Sequence, residues 1–242
     1  MKLFIPKQHG AWAMLIIPFW LGIINGGFLW QHILLFIGWL LLYLATYPML
    51  LLFKKKKIKF NIKWTAIYMV PALLSLLFPI MERPAIILFG LLMTPFFAIN
   101  AYYTAKNQER AFINDISAII AFSIPGLASS YLGSGSLTIN TFIFPFLTSI
   151  LFFIGCTFYV KSMIREKKNS HFKWLSWAYH ILLVAVWFIS GFWIVALAYL
   201  PSLLRAITFY GKKLSPKQIG IFEILNSAIL FLLLAIQILV IK

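Results

Sequence analysis

Residues 33–57 read ILLFIGWLLLYLATYPMLLLFKKKK, an uncharged run followed by four consecutive lysines. At a rise of about 1.5 Å per residue the apolar part makes a helix about 30 Å long, the thickness of a bilayer's hydrocarbon core. The lysines then end the run as a membrane surface would, and they carry the charge expected of a cytoplasmic loop. The same pattern recurs on both sides. Apolar runs fall near 11–29, 33–53, 64–80, 85–104, 115–132, 141–160, 174–190, 192–209 and 219–241. The seventh and eighth are short, and Gly191 at their junction predicts a tight hairpin. The runs lack the polar/apolar alternation of barrel strands.

Composition leads to the same place. Of the 242 residues 62% are hydrophobic and 11% charged, against about 25% charged in ordinary soluble domains. A soluble globule of this size cannot cover so much apolar surface. The expectation is an all-α transmembrane bundle of about nine helices, a single integral membrane domain over residues 1–242 with the lipid bilayer as its partner.

The 21 Lys and Arg residues against 5 Asp and Glu give a net charge of +16. A charge of that size suits nucleic acid when it forms one patch. Here it is divided among short runs between apolar segments, the pattern of membrane-protein loops, so no nucleic-acid partner is expected. Lys54–Lys57, Lys59 and Lys63 lie between spans two and three, Lys106 and Arg110 between four and five, and Lys161, Arg165, Lys167, Lys168 and Lys173 between six and seven. Lys212, Lys213 and Lys217 lie between eight and nine, and Lys2 and Lys7 precede the first span. With nine spans all of these share one side, while the other side holds Arg83, next to Glu82, and the terminal Lys242. The positive-inside rule makes the basic side the cytoplasm, the N-terminus cytoplasmic and the C-terminus periplasmic or extracellular. The basic start and first apolar stretch resemble a signal peptide, but Asn25-Gly26-Gly27 is a poor cleavage site, so a retained first helix is expected.

Trp30, Trp64, Trp174 and Trp193 sit near the expected span ends, as interfacial anchors do. Pro18, Pro48, Pro71, Pro95, Pro125, Pro145 and Pro201 fall inside spans. Each removes a helix hydrogen bond and favours a kink. The commonness of proline in membrane helices and the opening of a cavity account for them equally well. One cysteine, Cys156, excludes a disulfide framework or cysteine cluster within the chain. No phosphate loop, zinc helix or nucleophile elbow occurs. One Asp and four Glu do not make a standard two-metal carboxylate site, so no metal site is expected, and no cofactor follows from the residues.

The scarce polar residues mark candidate sites. Asn100, Tyr103, Asn107, Arg110 and Asn114 are spaced 3, 4, 3 and 4 apart, one helical face if span four continues into its loop. Glu109 and Asp115, the sole aspartate, flank them. Tyr159, Lys161, Ser162, Arg165 and Glu166 make a second cluster after span six. Arg205, about one turn inside span eight, and Glu223, about one turn inside span nine with Asn226 beyond it, are expected to pair at equal depth on adjacent helices. Unpaired charges there are costly. Pro6-Lys7-Gln8-His9-Gly10-Ala11-Trp12 places a basic, polar lead-in with His9 at a helix N-terminus, a ready anion site. His180, within span seven, suits a helix–helix hydrogen bond better than proton handling. His32 and His171 look interfacial. A solvated basic loop explains the first two clusters about as well as a site does, and a structural clamp is at least as good a reading of Arg205 and Glu223.

Pro6–Trp12, the stretch Asn100-Ala101-Tyr102-Tyr103 through Glu109-Arg110 to Asn114-Asp115, and Tyr159 through Arg165-Glu166 together resemble the YwiC-like family of bacterial membrane proteins over essentially the whole chain. The resemblance implies a multi-pass protein of the bacterial inner membrane and little about chemistry. In topology the chain is also similar to UbiA-type intramembrane prenyltransferases, which have nine helices, an internal N-terminus and polar motifs at cytoplasmic helix ends. Their two Asp-rich motifs hold magnesium and a diphosphate. The stripes here carry Asn100, Asn107, Arg110 and Asp115, then Arg165 and Glu166, without those aspartates, and topology alone does not carry function.

Three classes of function follow. One is a membrane enzyme or lipid-binding protein whose basic, cytoplasm-facing cavity holds an anionic head group or small anion. The second is a small secondary transporter, and the third a non-catalytic accessory subunit. A transporter calls for polar groups at mid-membrane on several helices. This chain crowds its polar groups at the cytoplasmic ends, which favours the first class. His9, Asn100, Tyr103, Asn107, Arg110, Asp115, Tyr159, Arg165, Arg205 and Glu223 are the expected substrate-binding residues.

Overall fold

The structure is a computed structural model that describes residues 4–6 and 10–241, the side chains of 140 and 141 excepted. Among these residues lie nine α-helices and one π-helical turn and no strand. The helices are α1 (Gly10–Gly26), α2 (Gln31–Phe53), α3 (Ile58–Glu82), α4 (Ile86–Ala105), α5 (Phe112–Ser134), α6 (Ile139–Val160), α7 (Ser170–Ile189), α8 (Trp193–Thr208) and α9 (Pro216–Ile241), with the π turn at Lys161–Arg165. Every expected span is a helix. Seven are long and apolar enough to cross a membrane, while α1 and α8, at 17 and 16 residues, are shorter.

Polar signals move several ends away from the apolar runs. The seventh helix, expected to be short, has 20 residues because the Asn169 side chain accepts the His171 N–H and starts it at Ser170. α9 begins at Pro216, ahead of its apolar run. There Ser215 Oγ accepts the Gln218 N–H at 3.3 Å and Gln218 Oε1 accepts the Ser215 N–H at 2.9 Å, a reciprocal cap with proline at the first helical position.

The chain forms two compact units, divided between Phe146 and Leu147. In the first unit α1 packs on α5 through small residues. A Cβ at Gly22 would run into the Gly126 carbonyl, and one at Gly26 into the Ser130 carbonyl. Two backbones therefore touch where any side chain would part them. Ser129 Oγ donates to the Phe19 carbonyl at 2.9 Å, and Asn25 Nδ2 to Ser130 Oγ at 2.8 Å. Phe19, Trp39, Tyr43 and Tyr131 fill the adjoining core.

His32 belongs to this core and is not interfacial: it is buried, with Nε2 donating to the Ser129 carbonyl at 2.9 Å and Nδ1 accepting the Leu29 N–H. Trp64 is likewise no surface anchor. Because α3 starts at Ile58, its indole lies inside the unit against Tyr68 and Phe4, whose carbonyl accepts the Tyr68 hydroxyl at 3.2 Å. Trp30, Trp174 and Trp193 are exposed, as anchors should be.

The second unit holds the later part of α6, the π turn, α7, α8 and α9. Buried hydroxyls and an indole tie its helices together. Tyr199 donates to the Thr148 carbonyl at 2.6 Å, Tyr179 to that of Leu151 at 2.8 Å, and Trp177 Nε1 to that of Ala206 at 2.9 Å.

Candidate functional site

The stripe Asn100–Asn114 is not one helical face. α4 stops at Ala105, and Asn107 has a left-handed backbone with φ +55°. The Gln108 N–H bonds the Tyr103 carbonyl at 2.8 Å and the Asn107 N–H that of Thr104 at 3.0 Å, the bond pair that closes a helix on a left-handed residue. Asparagine tolerates that conformation better than most residues, so Asn107 is a helix stop, exposed at the surface. Asn100 donates to the Phe96 carbonyl at 2.7 Å and to Ser117 Oγ at 3.1 Å, joining α4 to α5. Tyr103 is half-buried with its ring against Tyr102, and Arg110 is exposed in the loop. Asn114 is buried and fastens the preceding loop to α5 by donating to the Glu109 carbonyl at 2.7 Å, while Asp115 sits in the first turn of α5, where the helix dipole favours an acid.

Lys54 and Glu109 form an ion pair between the α2–α3 and α4–α5 loops, which puts those loops at one end of the first unit. Burial works to raise the Glu109 carboxyl, but the hydrogen bond and charge of Lys54 outweigh it, and the group lies below its ordinary value. The Arg83 guanidinium packs against Gly135, so the α3–α4 and α5–α6 loops share another place. His9 and its neighbours Lys7 and Gln8 lie outside the described residues.

The second unit gathers its polar groups differently. Arg205 is 5% exposed and pairs with Glu223 through Nη1. Its Nη2 lies 3.4 Å from Cys156 Sγ, and its guanidinium carbon stands 4.4 Å from the centre of the Tyr159 ring. The ring face attracts the cation. The expected pair forms. Arg205 lies three residues before the end of α8, about 5 Å in, while Glu223 lies seven residues after the start of α9, about 10 Å in.

Several atoms around this pair remain unmet. Arg205 Nε, the Tyr159 hydroxyl, Ser176 Oγ and His180 Nε2 are buried without a hydrogen-bond partner. His180 Nδ1 donates to the Ser176 carbonyl on its own helix at 2.6 Å, and Nε2 faces Gly155, so the expected bond to another helix is not made. Buried polar groups are mostly paired, and each exception asks for a reason. Arg165 is exposed at the end of the π turn, whereas Lys161 and Ser162 are buried, and Ser162 Oγ donates to the Tyr159 carbonyl at 2.8 Å. A π turn adds one residue to the helix, and such turns often mark functional sites. Among the described residues no three His, Cys, Asp or Glu side chains come together as a metal site would need.

Cys156 and Ser202 escaped the sequence reading as members of this cluster. A signal was present. Cys156/Tyr159, Ser202/Arg205 and Glu223/Asn226 each repeat at three residues, one polar face per helix. Asn226 Nδ2 donates to Ser202 Oγ at 2.9 Å, continuing the α8–α9 contact beyond the ion pair.

The model of the YwiC-like protein family matches residues 5–130. The chain belongs to the YwiC-like family. It is 47% identical to the uncharacterized protein YwiC of Bacillus subtilis (strain 168) over 94% of its length and 95% of that relative's. It is 38% identical to an uncharacterized protein of Haemophilus influenzae (strain ATCC 51907 / DSM 11121 / KW20 / Rd) over 98% of its length and 99% of that relative's. No solved structure matches the chain. The family match lies within the first unit, and the cluster around Arg205 lies beyond it.

Proposed function

We propose that this YwiC-like protein is a bacterial inner-membrane protein that binds an anionic head group or small anion in a basic, cytoplasm-facing polar cavity centred on Arg205. It is a single integral membrane domain of nine spans, with its N-terminus in the cytoplasm and its C-terminus outside. The observation that carries the binding reading is the unmet Nε of a buried arginine stacked on the ring of Tyr159, whose hydroxyl is also unmet. Both can donate to an oxyanion, and a guanidinium fork suits carboxylate and phosphate oxygens. An accessory subunit has no use for such unmet donors. Transport calls for polar groups along a whole path, and these stand near one end of α8.

Arg205→Met tests the reading. The purified protein should bind glycerophosphoglycerol or dihexanoylphosphatidylglycerol at least about tenfold more weakly after the change, the value of a hydrogen bond to a charged group. Unchanged affinity in a folded variant sinks it.

The orientation rests on loop charge and on the Lys54–Glu109 pair, which holds two basic loops together. In a Cys156→Ser background, Ser136→Cys should react with an impermeant thiol reagent added outside intact cells, and Lys56→Cys should not. Labelling at position 56 from outside reverses the assignment.

A further inference from the structure

Arg205 and Glu223 are one cation and one anion, the first buried and the second half-buried, with no net charge between them. If Arg205 holds an anion, as proposed above, the incoming ligand brings a negative charge beside the Glu223 carboxylate. Arg205, Glu223 and a singly charged ligand then sum to minus one. An uncompensated charge at this depth is costly in lipid. One proton restores the balance.

We propose that the site takes up a singly charged phosphodiester together with one proton, which Glu223 accepts as Arg205 exchanges its carboxylate for the ligand. The Arg205–Glu223 ion pair breaks, an Arg205–phosphodiester pair forms, and an O–H bond forms on the Glu223 carboxyl. The net charge is zero before and after. A dianion would leave one negative charge behind, so the site selects the monoanion.

The surroundings suit this exchange. Arg205 Nε is a donor already waiting for a ligand oxygen. The Glu223 side chain keeps 16% of its surface exposed, enough for a proton to reach it. Leu204, Ile207, Ile224 and Leu225, neighbours of the pair on α8 and α9, are exposed at 54%, 42%, 58% and 55%, an apolar skin that acyl chains can cover. A phosphodiester at the end of such chains is the head group of a lipid, and the same group occurs free in glycerophosphodiesters.

Other titratable groups face the pair. From α6 these are Cys156 and Tyr159. From α7 it is His180, whose charge would interact with that of Arg205. From α9, Asn226 cannot titrate. His180 is the rival proton acceptor because its Nε2 has no partner.

Calorimetric titration of the full-length protein in detergent tests the coupling. Glycerophosphoglycerol and dihexanoylphosphatidylglycerol are titrated separately, each in three buffers of different ionisation enthalpy. One proton should be taken up per ligand, and affinity should fall about tenfold for each unit rise in pH. Binding by the lipid alone assigns the site to a membrane head group, and binding by both probes to the free phosphodiester as well. His180→Gln should keep the proton uptake. Glu223→Gln should bind with neither uptake nor pH dependence. Binding without proton uptake by the wild type overturns the coupling and leaves the anion site standing, as does loss of uptake in His180→Gln. Failure of both probes to bind overturns the anion site itself. The wild-type proton count decides the matter even if Glu223→Gln does not fold.

Discussion

The contact of α1 with α5 and the contact of α8 with α9 both bring polar groups into an apolar interior, and they treat them in opposite ways. Between α1 and α5 the closest contacts are made at glycine and serine, and hydrogen bonds from short polar side chains fasten one helix to the other. Between α8 and α9 the side chains are long and charged, and Arg205 keeps a nitrogen unmet after binding Glu223 and approaching Cys156. The first contact uses polarity to join helices and leaves no room. The second joins helices too, and has donors left over. Buried polarity by itself marks no site. Arg205 differs in the donor that it leaves unmet.

Three measurements press on that contrast. The largest effect belongs to the first unit. Gly22→Val drives a side chain into the Gly126 carbonyl and should cost about 3 kcal/mol, the upper part of the range for overpacking. Gly90→Ala, where a Cβ meets nothing within 4 Å, should be neutral or slightly stabilising. Thermal unfolding in detergent compares the two, and equal losses would deny that α1 and α5 are held by close approach.

Next comes the charged contact. Glu223→Gln leaves a buried cation without its partner and should cost about 2 kcal/mol, less than a fully buried pair because the carboxylate retains some exposure. Adding Arg205→Met should recover at least half of that loss. A double variant less stable than Glu223→Gln would mean that Arg205 is held by contacts other than Glu223.

The smallest effect is that of Lys54 with Glu109. The folded carboxyl lies below its ordinary value, so its stabilisation is fully present above the ordinary carboxylate range and is lost as pH falls through the lowered value. The pair is exposed enough for salt to screen it. Glu109→Gln should therefore flatten the acid side of the stability curve slightly, and only at low salt. An acid limb identical to wild type would show that the pair contributes nothing.

Much of this architecture can be read from the chain, because a bilayer demands long apolar helices and tolerates little else. The helices follow the apolar runs, and the Arg205–Glu223 pair follows from the cost of unpaired charge in lipid. Other features needed local chemistry that hydropathy does not carry. Asn107 matches a polar stripe in spacing, yet its left-handed backbone ends α4 and breaks the stripe. Ser215 and Gln218 start α9 earlier than its apolar run, which sets Glu223 about two turns from the helix start instead of about one. His32 and Trp64 look interfacial by position and are buried by packing. Gly22 and Gly26, four apart, signal close helix contact, a signal that a search for chemistry passes over.

The brevity of α8 bears on the lipid around it. Sixteen residues reach about 24 Å, about 6 Å less than the usual hydrocarbon thickness. Where such a helix meets the bilayer, lipids shorten their reach or tilt to fit, and the polar boundary dips toward the protein. Arg205 lies one turn from the end of that helix, so such a dip brings the polar boundary toward the depth of the Arg205–Glu223 pair. A thinner host membrane would spare the lipid that deformation, and bilayer thickness thereby becomes a variable that sets how much strain this helix places on its surroundings.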